Sequence, residues 1–164
     1  MSLLEREPVR RVNAALSAAG AVGAVQEVSQ TAHTAADAAR ALGVDQGAIV
    51  KTLIFTIDRR FVMALIAGDR NCREDQLSRA LFMKGPVARP DAKYVRAITG
   101  FSIGGVAPAG LLHPLPTVID SSLKRFDAVY AAAGHPHCIF PTTVSELKRL
   151  TGGIISYAVS APSA

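Results

Sequence analysis

The chain has 164 residues, 49% of them hydrophobic and 19% charged, a balance that excludes a disordered segment and fits a globular domain. A chain of this length buries roughly 70% of its unfolded surface, enough for a core without disulfide or metal staples. Aromatics reach only 5% and Trp is absent, which argues against a stacking platform for single-stranded nucleic acid; a net charge of +5 is compatible with a polyanionic partner, although the dispersed charges read first as a solvated, mildly basic surface.

The opening residues, Met-Ser-Leu-Leu-Glu-Arg-Glu-Pro, lack a cationic start followed by an apolar stretch. No uncharged apolar run approaches the roughly 18 residues that a membrane helix needs, so a cytoplasmic chain without membrane attachment is expected. Residues 4–19 read as a helix closed by Gly20, with Leu4, Val9, Val12, Ala15 and Leu16 as its buried stripe. Residues 25–28 are a candidate strand. Thr34-Ala-Ala-Asp37 caps a short helix over 35–42 that stops at Gly43. Residues 48–57 and 61–66 are β-branched, almost wholly apolar runs joined by Asp58-Arg59-Arg60, and predict a hairpin at the centre of a sheet. Residues 73–82 predict a short amphipathic helix, and Pro90 opens another that ends at Thr99 before Gly100.

Residues 101–116 are rich in glycine and proline and predict a long irregular connection, which inside a compact domain is a mark of function. Strands are expected at 117–120, 128–132, 138–140 and 154–158, with a helix between the last two that is capped by Thr143 and stopped by Gly152-Gly153. Strands and helices alternate without a strict βαβ rhythm. The class is mixed α/β, with a mixed or partly closed, barrel-like sheet flanked by helices. Residues 1–159 read as one domain and 160–164 as a loose tail.

Three features carry candidate chemistry. Lys51 interrupts an apolar strand, where a buried ammonium is costly. It either snorkels from a sheet edge or stands as a cation on a pocket wall, aimed at a phosphate or a polarised carbonyl. Gly104, Gly105 and Gly110 bracket Pro108, giving a Gly-x-x-x-Pro pattern. Such a turn allows close backbone approach and an anion-binding concavity, although an awkward loop explains it equally well. Ala-Gly134-His135-Pro-His137 follows a predicted strand and offers an acid, a base or a neutral donor; two surface histidines are the plain alternative. No third metal ligand stands near this pair, since His33 and His113 are distant in sequence, and no metal or cofactor is expected. Cys72 and Cys138 are far apart and suit a reducing compartment rather than a disulfide framework.

Together these stretches resemble the YbaK/ProX family, domains that hydrolyse mischarged aminoacyl-tRNAs alone or inserted in prolyl-tRNA synthetases. The matching segments include Ile49-Val-Lys-Thr-Leu-Ile-Phe55, Ala67-Gly-Asp-Arg70, Thr99-Gly-Phe-Ser-Ile-Gly-Gly-Val-Ala-Pro108, Leu115-Pro-Thr-Val-Ile-Asp120 and Val129-Tyr-Ala-Ala-Ala-Gly134, in the family's order over about residues 25–155. The resemblance implies the YbaK fold and an aminoacyl-tRNA deacylase with mischarged tRNA, above all proline tRNA, as its partner, and with prolyl-tRNA synthetase as a further one. It places Lys51 on the functional lysine, Gly104 and Pro108 on the Gly-x-x-x-Pro turn, and His135 on a histidine of the alanine-editing branch. Lys51, Gly104 and His135 then stand as catalytic residues, and Thr52, Gly105, Val106, Pro108 and Gly134 as substrate-binding ones. Asp69 and Asp120 match recurring acids that serve equally well as turn or cap residues. Ala107 replaces the serine that many members carry before the proline. Alanine on proline tRNA is the preferred substrate. A cysteinyl-tRNA deacylase, a non-catalytic tRNA-binding module and a protein that binds a free amino acid are the alternatives.

Overall fold

The computed structural model describes residues 2–28 and 34–163. Five α-helices and ten strands follow one another through these residues. The helices are α1 (Glu7–Ala18), α2 (Ala35–Leu42), α3 (Leu77–Ala80), α4 (Ala92–Thr99) and α5 (Val144–Thr151). The strands are β1 (Gln26–Glu27), β2 (Ile49–Ile57), β3 (Arg60–Ala67), β4 (Arg70–Cys72), β5 (Val87–Ala88), β6 (Thr117–Asp120), β7 (Val129–Ala132), β8 (Cys138–Thr142), β9 (Ile154–Ser156) and β10 (Ser160–Pro162).

Local chemistry accounts for most helix boundaries. Thr34 accepts from the Asp37 amide while Asp37 reaches back to the Thr34 amide, a complete capping box, and Gly43 closes α2 in the left-handed region. Thr143 caps α5 by accepting from the Glu146 amide, and Gly152 ends the helix in the left-handed region. In α1, Pro8 sits in the first turn, and Val9, Val12 and Leu16 form the buried stripe. Leu4, expected in that stripe, lies outside α1 and is exposed. The amphipathic helix expected over 73–82 is much shorter: Glu74–Gln76 form a 3-10 turn, the α-helix spans only Leu77–Ala80, and the exposed Phe82 beyond it adopts a left-handed φ of 56°.

Among the described residues, eight strands form one mixed sheet in the order β1-β8-β7-β2-β3-β6-β9, with β5 added beside β2. Strands β2 and β3 form the expected central hairpin, antiparallel from Val50–Ala67 to Ile57–Arg60. Strands β7 and β6 flank it in parallel. The strand order shows no pairing of β1 with β9, so the sheet is open rather than a closed barrel among the described residues.

Period-2 alternation sorts β2 and β3 between two cores. Val50, Ile54, Met63 and Leu65 pack with α1, Val95 of α4 and Leu147 of α5. Phe55, Ile57, Val62 and Ile66 pack with Leu77 of α3 and with Val159 on the opposite face. None of the described helices is long and apolar enough to cross a membrane.

The tail expected from Ser160 is instead partly ordered. Residues Ser160–Pro162 pair with β4, and Arg70 fixes the pairing by donating to Ser160 Oγ at 2.7 Å and to the Ser160 carbonyl at 3.1 Å.

Asp120 ends β6 and is 2% exposed. Its Oδ2 accepts from the Ala67 amide at 3.1 Å and its Oδ1 from the Ser122 amide at 2.9 Å, so it ties β3 to β6 and caps the following 3-10 turn. Truncation strands a buried amide. Asp120→Ala is expected to cost about 2 kcal/mol, read from urea unfolding. A loss below about 0.5 kcal/mol would show that this carboxylate is dispensable to the fold.

Candidate active site

Strand β2 is interior to the sheet, yet it is paired on both sides only at its ends. On the side away from β3, Ile49 and Val50 meet β7, while Thr56 and Ile57 meet β5. Between them, residues 51–55 have no strand neighbour on that side among the described residues. The segment carrying Ile103, Gly104 and Val106 lies along this gap, and two adjoining cavities open there.

The larger cavity, about 310 Å³, is lined by Lys51, Thr52, Gly104 and Val106 together with Tyr130 and Pro136. The smaller, about 150 Å³, reaches Phe55, Arg89 and Val95 and shares Thr52, Gly104 and Val106 as a common wall. Adjacent strand residues point to opposite faces, so an unbroken sheet would hide either Lys51 or Thr52 from such a cavity. The gap exposes both.

Lys51 is half-buried, and its Nζ donates to the Arg70 carbonyl of β4. An ammonium carries three donors, so two remain for a ligand. Burial lowers the Lys51 pKa below the ordinary 10.5, opposed by Cys72, Asp69 and Asp120. Asp69 is itself committed to a bidentate pair with Arg125, at 2.8 and 2.9 Å, and this partner draws its pKa down. Cys72 is pushed up to about 11, chiefly by burial, and is a thiol at neutral pH.

The glycine turn meets the histidine step through backbone. Gly134 donates to the Gly105 carbonyl at 2.9 Å, and Gly105 donates to the Ser102 carbonyl at 2.9 Å. A Cβ on Gly105 would lie 2.9 Å from both the Cα and the amide nitrogen of His135, closer than any side chain tolerates. Gly104 takes a φ of 94°. The ring of His135 accepts at Nδ1 from the His137 amide at 3.1 Å, which places its proton on Nε2 in the neutral form, and it meets the His137 ring edge-on at 5.3 Å. Burial lowers the His135 pKa below 6.5, helped by His137 and Arg6.

Of the residues singled out in sequence, Lys51, Thr52, Gly104 and Val106 therefore share one cavity. Gly105, Gly134 and His135 form the backbone junction behind it. Pro108 is elsewhere: it is buried and lines a separate cavity with Met63 and Leu150. Ile103, Tyr130 and Pro136 join the site without having been singled out. The parallel pairing of β2 with β7, which brings Tyr130 opposite Ile49, is a long-range event that local sequence does not announce. Thr52 Oγ1 is buried with no hydrogen-bond partner among the described residues, an unusual state for a hydroxyl in a cavity wall. His33 lies outside the described residues, and among those described no group of three His, Cys, Asp or Glu is placed to hold a metal ion.

Comparison with known proteins identifies the family. Residues 29–150 match the family model of the aminoacyl-tRNA editing domain. A solved structure described as that of a candidate trans-editing enzyme for prolyl tRNA synthetase superposes with a TM-score of 0.88 at 34% identity, covering 95% of this chain and 98% of that one. The uncharacterised protein YwhH of Bacillus subtilis is 32% identical over 69% of this chain and 71% of its own length. A proline--tRNA ligase of Desulfovibrio desulfuricans is 35% identical over 51% of this chain, a match that spans only 14% of the ligase. The chain belongs to the aminoacyl-tRNA editing domain family and is an aminoacyl-tRNA deacylase.

Proposed function

We propose that the protein edits in trans, hydrolysing the ester of a small amino acid mischarged onto proline tRNA, with alanine preferred. The observation that carries this reading is the convergence of Lys51, Thr52, Gly104 and Val106 on one cavity beside the open stretch of β2. The likeness to a candidate trans-editing enzyme for prolyl tRNA synthetase supports the choice of tRNA. The cysteinyl ester on the same tRNA is the second reading, because a hydrophobic pocket separates side chains of such similar size by only about 1–3 kcal/mol.

In the proposed reaction, water attacks the ester carbonyl carbon and the carbonyl oxygen becomes an oxyanion. Collapse breaks the bond to the ribose oxygen, which takes up one proton of the attacking water while the other passes to solvent, leaving the tRNA with a free terminal hydroxyl and the amino acid as its carboxylate. The Gly105 amide is engaged by Ser102, so the oxyanion falls to the neighbouring Gly104 and Val106 amides; one such donor contributes roughly 3 kcal/mol. Lys51 supplies positive charge, to the terminal phosphate or to the same oxyanion. Thr52 forms part of the cavity wall, with its hydroxyl buried in that wall and unpartnered among the described residues. The water is oriented by backbone or by His135, which stands behind the cavity wall and carries its proton on Nε2 in the neutral form.

Lys51→Ala is expected to lower deacylation of alanyl-tRNA(Pro) at least about 100-fold while leaving the thermal melt near that of the native chain. A rate within twofold of wild type removes Lys51 from the mechanism. The same assay run on alanyl, cysteinyl, seryl and threonyl esters decides the substrate: an inert alanyl ester beside a cysteinyl one that turns over would reverse the preference. A chain that binds these tRNAs but hydrolyses none of them would instead be a binding module.

The pH dependence separates a cationic Lys51 from a basic one. With uncatalysed hydrolysis subtracted, a lysine acting as ammonium loses activity as pH rises through its lowered pKa, below 10.5. A lysine acting as general base would gain activity over that interval. On the acid side, protonation of His135 would put a proton on Nδ1 and end its acceptance from the His137 amide, so the rate is expected to hold through neutrality and to fall as pH drops past the lowered His135 pKa, below 6.5, with that fall absent in His135→Gln. An unchanged acid limb in His135→Gln removes the histidine from the reaction.

A further inference from the structure

The glycine turn is gripped from outside by one side chain. Arg11 of α1 donates from Nε to the Gly110 carbonyl at 2.6 Å and from Nη2 to the Gly100 carbonyl at 2.8 Å. Its Nη1 donates to both carboxylate oxygens of Glu7, at 2.6 and 2.8 Å. Its Cζ stands 4.6 Å from the centroid of the buried Phe101 ring. Gly100 and Gly110 are the two ends of the segment that carries Gly104, Gly105 and Val106. A single planar cation thus closes the base of that loop, while Glu7 holds the cation in place.

The rest of α1 shares this position. A Cβ on Gly110 would meet the Arg11 carbonyl oxygen at 3.0 Å and Val12 Cα at 3.1 Å. A Cβ on Gly134, on the other wall beside His135, would meet the Pro8 carbonyl oxygen at 2.8 Å and the Val9 nitrogen at 3.0 Å. The helix therefore touches the turn and the histidine step at once and sets their separation. It also precedes residue 29, where the family match begins.

We propose that Arg11 is a positioning residue for deacylation: by fixing the Gly100 and Gly110 carbonyls it holds the Gly104 and Val106 amides where the oxyanion forms. This rests on the reading of the turn as the oxyanion site. The guanidinium is suited to the task because its fork points donors in fixed, divergent directions, which a lysine ammonium cannot reproduce. Pinning both ends of a loop also removes much of its freedom before substrate arrives, so orientation is set in advance of the chemical step.

The test compares wild type, Arg11→Met, Arg11→Lys and Lys51→Ala in the full chain, with the misacylated tRNA that wild type turns over fastest. Amide hydrogen exchange is followed over residues 101–110 and over the β2–β3 hairpin. Arg11→Met is expected to speed exchange in 101–110 and leave the hairpin unchanged. Its kcat should fall roughly 10- to 100-fold with KM held within about twofold, and Arg11→Lys should recover less than half of that loss. If Arg11→Met does not fold, Arg11→Lys carries the test alone, since it keeps the stem and the charge but loses the fork. Unchanged exchange in 101–110 overturns the inference, as does faster exchange with native kcat, or a fall in kcat no larger than the fall in folded fraction. A wild-type chain that leaves every ester intact, or a fully active Lys51→Ala, defeats the underlying reading instead. The exchange result then still decides whether Arg11 fixes the turn.

Discussion

The break in pairing along one side of β2 is the constraint from which the site follows. A central strand flanked over its full length would have presented an apolar ladder on both faces and left no room for a ligand. Here β7 leaves β2 after Val50 and β5 joins it only at Thr56. Backbone polar groups between those points cannot be satisfied by a strand on that side, and an unsatisfied buried amide or carbonyl is costly. An opening that admits water or substrate resolves the conflict. The same opening explains how Lys51 and Thr52 persist in the middle of a strand built mostly from Ile, Val, Leu and Phe, because both line the cavity rather than the core.

What lies across the opening must come close to two backbones without a side chain in the way. Gly105 does so against His135, and the hydrogen bond from Gly134 to the Gly105 carbonyl locks the approach. Proline and alanine on the far side of the turn do a different job. Ala107 and Pro108 are buried, and Pro108 faces a separate cavity, so this half of the Gly-x-x-x-Pro pattern anchors the loop to the core while the glycine half faces the opening. A motif that looks like one functional unit in sequence is divided here between anchoring and access.

Much of this was legible in the sequence where the signals are local. The β2–β3 hairpin, the capping box of α2, strand β6 and the Thr143 cap of α5 each depend on residues a few positions apart. Lys51 stood out because it violated the apolar pattern around it. The short strands β4, β5 and β10 escaped notice because two or three residues carry too little periodicity, and each is defined only by a partner distant in the chain. Arg11 was hidden for a similar reason. On a helix it reads as one more solvated cation, and its meaning comes from two carbonyls 89 and 99 positions away.

The C-terminal strand shows how far such support extends. Residues Ser160–Pro162 hold β4 through Arg70, and the carbonyl of that same Arg70 accepts from Lys51. The lysine is therefore tethered to a strand that is itself braced by the end of the described chain. This arrangement bears on what the lysine can do. Burial alone would drive it toward the neutral amine, but Asp69 and Asp120 oppose that drift, and the bond to a carbonyl oxygen uses a donor rather than a lone pair. Every one of these neighbours stabilises the protonated form, and none of them would accept a proton from water on the lysine's behalf. The surroundings of Lys51 are those of a fixed positive charge set beside a cavity, which favours an electrostatic role over that of a general base.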